Sequence, residues 1–123
     1  MSTDTGERPA TGPLILIASS SPDEHDMYAA YFASSGYRVA TTTRGDEAIT
    51  RALALKPALV LASTHLPGQD GLEVCRAFSE LCVPVILLAS TPVQRESPCT
   101  AVMLRPALPD AVMAAVERLL TPK

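Results

Sequence analysis

The stretch KPALVLASTHLPGQDGLE, residues 56–73, decides the fold. It contains a continuous apolar run at residues 59–62, which is typical of a strand buried on both faces of a sheet. Residues 66–71 are dense in Pro, Gly and Asp and predict a tight loop. Cys75 and Phe78 then follow at helical spacing. The stretch therefore predicts a buried strand, a loop and an amphipathic helix.

Four more strands are predicted, two before this unit and two after it. Residues 14–18 and 83–89 are also continuous apolar runs, whereas residues 37–42 alternate apolar and polar side chains as an edge strand does. Residues 101–104 predict a short fifth strand. Buried strands that alternate with one-sided helices across short links predict a parallel sheet covered by helices on both faces. We expect a doubly wound, flavodoxin-like α/β fold with the five-stranded order 2-1-3-4-5.

Caps and breakers predict where the first two helices begin and end. Ser21, Pro22 and Glu24 have the pattern of a capping box with proline at the first helical position, and Gly36 is placed to end that helix. Thr43 is the expected cap of the second helix. The first helix is expected to bury the apolar residues that recur at three- and four-residue spacing: Met27, Tyr28, Tyr31 and Phe32.

The C-terminal third departs from this regular alternation. Residues 90–100 contain two prolines and little periodicity, so the fourth helix is expected to be shortened to one or two turns. A strongly amphipathic last helix follows, with Leu108 on its predicted apolar face. We assign residues 13–121 to the domain and residues 1–12, which are rich in Thr, Gly, Pro and charge, to a flexible N-terminal tail.

Composition disfavours several function classes. The chain has 123 residues, which fits one domain, and its 10 basic and 13 acidic side chains give a net charge of −3. No nucleic-acid partner is expected, because such proteins need a broad positive field. No apolar run reaches the length of a membrane helix or a signal peptide, so we expect a cytoplasmic protein without a membrane partner. Cys75, Cys82 and Cys99 are an odd number of cysteines without metal-ligand spacing, so neither a disulfide framework nor a structural metal is expected. The chain also has no GxGxxG or Walker A loop, and no cofactor is expected.

The order and spacing of these pieces resemble the receiver domain of bacterial two-component response regulators. The resemblance covers residues 14–120 and rests on residues 15–22, 56–73, 84–89 and 104–106, which read ILIASSSP, KPALVLASTHLPGQDGLE, PVILLA and LRP. The LPGxDGLE loop is its most specific part. The resemblance implies a functional crevice at the carboxyl ends of the first and third strands. It also implies a role in phosphorelay signal transduction.

The positions at which the resemblance places chemistry carry other residues in this chain. Ser19 and Ser20 stand where a receiver has its acidic pair, and Ser63 stands where it has the phospho-accepting aspartate. The two switch positions and the lysine position are also changed: Ala89, Val102 and Arg105 occupy them. The resemblance therefore implies a degenerate receiver, a pseudo-receiver that lacks the acidic phosphorylation site.

Serine hydroxyls do not replace these carboxylates. Mg²⁺ takes near-octahedral oxygen ligands and is usually anchored by one or two carboxylates, so no Mg²⁺ is expected. Phosphotransfer to Ser63 would need a general base such as His65, which we interpret as a surface loop residue. A Ser-His-Asp hydrolase is disfavoured because the chain has no GxSxG elbow. We expect no catalytic residue and no enzyme.

Three function classes remain open. The favoured one is a phosphorylation-independent signalling module that acts by protein-protein interaction, with an unknown regulator or kinase-pathway component, or as a homodimer. The second is a sensor of a small anion or ligand, in which Arg105 and Ser63 hold an anion in an otherwise neutral, hydroxyl-lined crevice. In a plainer interpretation of that crevice, Arg105 simply bonds Ser63 or water. The third and least favoured class is a hydrolase or phosphotransfer enzyme.

Overall fold

The computed structural model describes residues 12–68, 71–81, 83–91, 100–104 and 108–120. Five strands and four helices alternate along these ranges. They are β1 (Leu14–Ala18), α1 (Pro22–Ser34), β2 (Arg38–Thr42), α2 (Gly45–Leu55), β3 (Leu59–Ser63), α3 (Gly71–Glu80), β4 (Val85–Ala89), β5 (Thr100–Leu104) and α4 (Pro109–Leu120).

The strands form one parallel sheet in the order β2-β1-β3-β4-β5. This confirms the predicted flavodoxin-like order. Every residue of β1, β3 and β4 is buried, because these strands have neighbours on both sides and helices on both faces. β2 lies at one edge and is partly exposed, as its alternating sequence predicts.

Two hydrophobic cores lie on opposite faces of the sheet. Successive residues of β1 point to opposite faces, so Ile17 joins one core and Leu16 joins the other. Ile17 shares its core with Phe32 of α1 and Val116 of α4. Leu16 shares its core with Phe78 of α3. Helices α1 and α4 therefore cover one face, and α2 and α3 cover the other.

The predicted capping box forms only in part. The Ser21 hydroxyl accepts the Glu24 backbone N–H at 3.4 Å, as a cap should. The Ser21 backbone N–H, however, donates to the Ser19 hydroxyl at 3.1 Å rather than to the Glu24 carboxylate. The Glu24 carboxylate is directed instead toward the carboxyl ends of the strands.

Thr43 is not the cap of α2, which corrects the sequence-based expectation. Arg44 occupies the N-cap position and makes no side-chain cap hydrogen bond. The physical reason is a tertiary contact: the Gly45 N–H donates to the carbonyl of Pro67 at 2.8 Å, so the loop after β3 satisfies one of the donors at the start of this helix.

Two apolar residues that were predicted to face the core lie in solvent. Met27 is 43% exposed, whereas its helix neighbours Tyr28 and Phe32 are fully buried. Leu108 is 69% exposed, because it precedes the first residue of α4 and does not share the buried face of that helix. Helical periodicity placed both residues at the border of an apolar stripe, and the tertiary packing decides such positions.

Some expectations concern residues outside the described ranges. Residues 1–11, residues 92–99, Cys82 and Cys99 are among them, so the N-terminal tail and the shortened fourth helix remain predictions. Within the part of the chain that is described, no helix combines the length and the hydropathy of a transmembrane span.

We predict that Phe32→Ala lowers the free energy of unfolding by about 3–5 kcal/mol, because it opens a cavity in the core under α1. Met27→Ala on the same helix is the control and should change it by no more than about 0.5 kcal/mol. Urea unfolding followed by circular dichroism measures both. Equal losses for the two variants would contradict this assignment of the buried face of α1.

Candidate functional site

The carboxyl ends of β1 and β3 lie side by side at one edge of the sheet. The two strands are parallel neighbours, and Ala18 pairs with Ala62. Ser19 directly follows β1, and Ser63 is the last residue of β3. Both are almost fully buried, with 1% of Ser19 and 4% of Ser63 exposed. The strand order thus brings together two of the serines that the resemblance assigns to the functional crevice.

Glu24, in the first turn of α1, joins the two serines. The Ser19 hydroxyl donates to Glu24 Oε1 at 2.8 Å, and the Ser63 hydroxyl donates to the same oxygen at 3.2 Å. The carboxylate is the acceptor in both bonds, which is the role of its ionised form. A single carboxylate oxygen therefore connects the end of β1, the end of β3 and the start of α1, through bonds that are stronger than those between neutral groups.

The same edge of the sheet contains a cavity of about 430 Å³. Its described lining consists of Ser19, Ser20, Ser21, Glu24, Ser63, His65 and Ser90. All of these residues are polar, and Glu24 supplies the one carboxylate among them. The expectation of a neutral crevice is therefore wrong, because α1 brings a carboxylate into it.

A second set of hydrogen bonds fixes the end of β1 to the end of β2. The Ser19 backbone N–H donates to the Thr42 carbonyl at 3.1 Å. His25 of α1 places Nε2 2.8 Å from the same carbonyl; since a carbonyl only accepts, Nε2 carries the proton. The Thr42 hydroxyl donates to Glu47 of α2 at 2.9 Å. The end of β2, which is bonded to the end of β1, is thus held by α1 on one face of the sheet and by α2 on the other.

A further cavity of about 340 Å³ lies on α2 and is lined by Asp46, Glu47, Thr50 and Arg51. Beside it, Arg44 Nε donates to Asp46 Oδ1 at 3.0 Å. This hydrogen bond lowers the pKa of Asp46 and raises that of Arg44. Both side chains are about half exposed, so the pair adds little to stability. Because its described lining comes from one helix, this cavity lacks the convergent groups that the crevice at the strand ends has.

In sequence and in fold, this chain is similar to receivers of response regulators. The chain is 31% identical over 77 residues to the DNA-binding response regulator MtrA of Mycolicibacterium smegmatis. The aligned residues make up 62% of this chain and 34% of MtrA. The BeF3-activated N-terminal receiver domain of Klebsiella pneumoniae RstA superposes with a TM-score of 0.77 at 26% identity, covering 89% of this chain and 99% of that domain. These comparisons support the interpretation of this chain as a response-regulator receiver domain.

The fold agrees more widely with this class. Chemotaxis protein CheY4 of Vibrio cholerae, at 18% identity, superposes on the receiver-like chain with a TM-score of 0.78 and covers 89% of it and 100% of CheY4. No family model matches the chain. The receiver-like chain spans about a third of the length of the curated relatives it matches.

The donor set that the described residues bring to this receiver-like crevice does not fit Mg²⁺. Ser19, Ser20 and Ser63 offer neutral hydroxyls, and the hydroxyls of Ser19 and Ser63 direct their protons at Glu24 Oε1. Mg²⁺ requires near-ideal octahedral geometry and is usually anchored by carboxylates whose oxygens face the ion. Glu24 Oε1 would have to lose its hydrogen bonds from both serine hydroxyls before it could serve as such an anchor.

The other residues singled out from the sequence lie around this crevice or outside the described part. Ser20 is exposed and lines the cavity. Ala89 is buried at the end of β4, and Val102 of β5 pairs with Leu87 and packs against the core between the sheet and helices α2 and α3. Arg105 lies outside the described residues.

Two lining residues were missed by reasoning from the sequence. Glu24 was interpreted as part of a capping box, although a side chain in the first turn of α1 also lies one turn from the strand ends. Ser90 directly follows Ala89 and supplies a hydroxyl one residue beyond the switch-equivalent position. His65 is an exposed loop residue, as predicted, and lines the cavity as well.

We predict that Ser19→Ala lowers the free energy of unfolding by about 1–3 kcal/mol, because it removes a buried donor to a carboxylate. Ser20→Ala, at the adjacent exposed position, is the matched control and should stay within about 0.5 kcal/mol of the original protein. Guanidinium unfolding measures both. A Ser19→Ala variant as stable as Ser20→Ala would show that the bond to Glu24 does not hold the strand ends.

Proposed function

We propose that residues 13–121 form a phosphorylation-independent, pseudo-receiver signalling module that acts in a two-component or related regulatory pathway of the cytoplasm. The module binds a protein partner and catalyses no reaction. The proposal rests on the Ser63 hydroxyl, which stands at the phosphoacceptor-equivalent position and donates to Glu24. It also rests on Ser19 and Ser20, the serines at the acidic-pair-equivalent positions.

The chemistry of phosphoryl transfer supports this proposal. The reaction needs positive charge near the transferred group to offset the charge that builds up on its oxygens. The Glu24 carboxylate would instead stand beside the incoming phosphoryl group at Ser63 and repel it. A carboxylate that accepts a hydrogen bond from a hydroxyl is placed as a general base would be, but phosphoryl transfer to Ser63 would also need cations to offset the charge of the transferred group.

Acetyl phosphate tests phosphorylation directly. We predict that the intact mass of the protein stays unchanged after incubation with acetyl phosphate and Mg²⁺, because the phosphoacceptor-equivalent position is Ser63 and not an aspartate. The receiver domain of Klebsiella pneumoniae RstA, treated in parallel, is the positive control.

A mass increase of one phosphoryl group would overturn the proposal. Its stability in acid then identifies the product, because an acyl phosphate hydrolyses readily and a serine phosphate persists. Loss of the adduct in Ser63→Ala would place it at Ser63.

The exposed apolar side chains at the end of β5 and the start of α4 support binding of a protein partner. Leu104 ends β5 and Leu108 precedes α4, and both are exposed. The resemblance to receivers implies that this side of the sheet meets partners. Single exposed leucines are common on protein surfaces, so these two support an interaction surface through their position, at the side that the resemblance assigns to partners.

We predict that Leu104→Ser combined with Leu108→Ser reduces capture of the partner at least about fivefold, since apolar anchors dominate such interfaces. Leu53→Ser, at an exposed leucine of α2, is the control and should leave capture unchanged. Affinity purification of the tagged chain from its native cells, quantified by mass spectrometry, measures this. Equal capture by all variants would contradict a partner surface at β5 and α4.

The anion-sensor hypothesis gains no support from the described crevice. A bound anion at Ser63 would lie next to the Glu24 carboxylate, whose oxygen is 3.2 Å from the Ser63 hydroxyl. Repulsion between two like charges at this distance opposes binding. Because Arg105 lies outside the described residues, its part in an anion site stays a prediction.

A further inference from the structure

β2 forms one edge of the sheet and pairs only with β1. In a parallel strand, every second residue turns its backbone N–H and C=O groups to the same side. The Arg38 N–H donates to the carbonyl of Pro13, just before β1, and the Thr42 carbonyl accepts from the residue just after β1. Val39 and Thr41, which alternate with these residues, therefore turn their N–H and C=O groups away from the sheet.

This outer edge of β2 has the features of a template for a further strand. An unpaired row of N–H and C=O groups can bond to the backbone of another chain. Residues 39–43 read VATTT, with four β-branched side chains and no charge, proline or glycine, which favours extended pairing. Within the described part of the chain, no backbone group bonds to the outer side of β2.

One side chain, Arg51 of α2, bonds to this edge. Its Nη1 donates to the outward carbonyl of Thr41 at 3.1 Å. The Arg51 side chain is exposed, so the bond adds little to the stability of the fold. Its consequence is local, because one outward acceptor is occupied and a positive charge lies at the edge. Charged side chains at such positions are a common means of preventing edge-to-edge association.

A second copy of this chain would need the same carbonyl. The outer edge is self-complementary when two copies pair antiparallel about a two-fold axis. With the axis at Ala40, Val39 of each copy lies opposite Thr41 of the other, and each such pair exchanges two N–H···O=C hydrogen bonds. In this register the Val39 N–H donates to the Thr41 carbonyl of the other copy. That acceptor is the one to which Arg51 bonds.

We propose that Arg51 blocks the outer edge of β2 and so prevents it from pairing with the same edge of a second copy of this chain. Pairing would break the bond to Arg51 in each copy and bring two guanidinium charges to one junction. The inference goes beyond the proposed function and does not depend on it, because the partner surface proposed above lies at β5, the opposite edge of the sheet.

Sedimentation equilibrium of the full chain over a wide range of concentration tests the inference. We expect Arg51→Ala to self-associate with a dissociation constant at least about tenfold lower than that of the original chain, because the Thr41 carbonyl becomes free to accept from the other copy. Arg118→Ala, which removes one exposed arginine from the last turn of α4, is the matched control and should associate no more than the original chain.

A proline at the edge tests whether β2 makes the contact. Arg51→Ala combined with Thr41→Pro should associate no more than the original chain, because proline removes an outward N–H that the sheet does not use. Val39→Pro removes the other outward N–H and serves if Thr41→Pro does not fold. Hydrogen exchange at the amides of residues 39 and 41 locates the contact: both should exchange rapidly in the original chain and become protected in Arg51→Ala as the concentration rises.

The inference is overturned if Arg51→Ala associates no more than the original chain, or if its association persists in the proline variants. It is also overturned if association leaves the amides of residues 39 and 41 unprotected. Protection of both amides in the original chain at every concentration would overturn it as well, because another segment of the chain would then cover the edge. The proposed function would survive these outcomes, because the acetyl phosphate experiment measures covalent modification.

Discussion

The parallel pairing of β1 with β3 at the centre of the sheet is the constraint on which the crevice depends. It places Ser19 and Ser63 at the same edge, where a single oxygen of Glu24 accepts a hydrogen bond from each. Because both strands are fully buried and paired on both sides, neither end can shift without breaking the sheet. The position of Ser19 relative to Ser63 is therefore set by the core.

Glu24 changes what this edge of the fold can do. The resemblance to receivers implies carboxylates at the ends of the strands, facing a metal ion. In this chain the carboxylate comes from α1, and the strand ends carry hydroxyls that bond to it. Both hydrogen bonds stabilise the Glu24 carboxylate at this edge of the sheet.

The sequence predicts the sheet well because its central strands are continuous apolar runs. β1 and β3 contain the apolar runs from which they were predicted. Gly36 adopts a positive φ of 96°, which suits a residue after a helix end. Helix starts are predicted less well. Gly45 donates to Pro67, which is distant in sequence, so local preferences around Thr43 did not decide where α2 begins.

The candidate site could be predicted only in part. Strand order alone brings Ser19 and Ser63 together, and the resemblance to receivers draws attention to both. Glu24 was missed because a glutamate three residues after Ser21 fits a local capping box. Its side chain instead follows the tertiary structure, since the Ser19 hydroxyl accepts the Ser21 N–H that the box would have used. The spacing of residues does not show whether Glu24 bonds to the nearby Ser21 N–H or to the hydroxyls of Ser19 and Ser63.

Titration of the chain with Mg²⁺, followed by NMR at residues 19–20, 24 and 63, tests the central claim most directly. The claim is that serine hydroxyls bonded to Glu24 do not make a site for a divalent cation. It predicts no saturable shift in the original chain and the appearance of one when Ser19, Ser20 and Ser63 are all replaced by Asp. Saturable, sub-millimolar binding of Mg²⁺ at these residues in the original chain would contradict it.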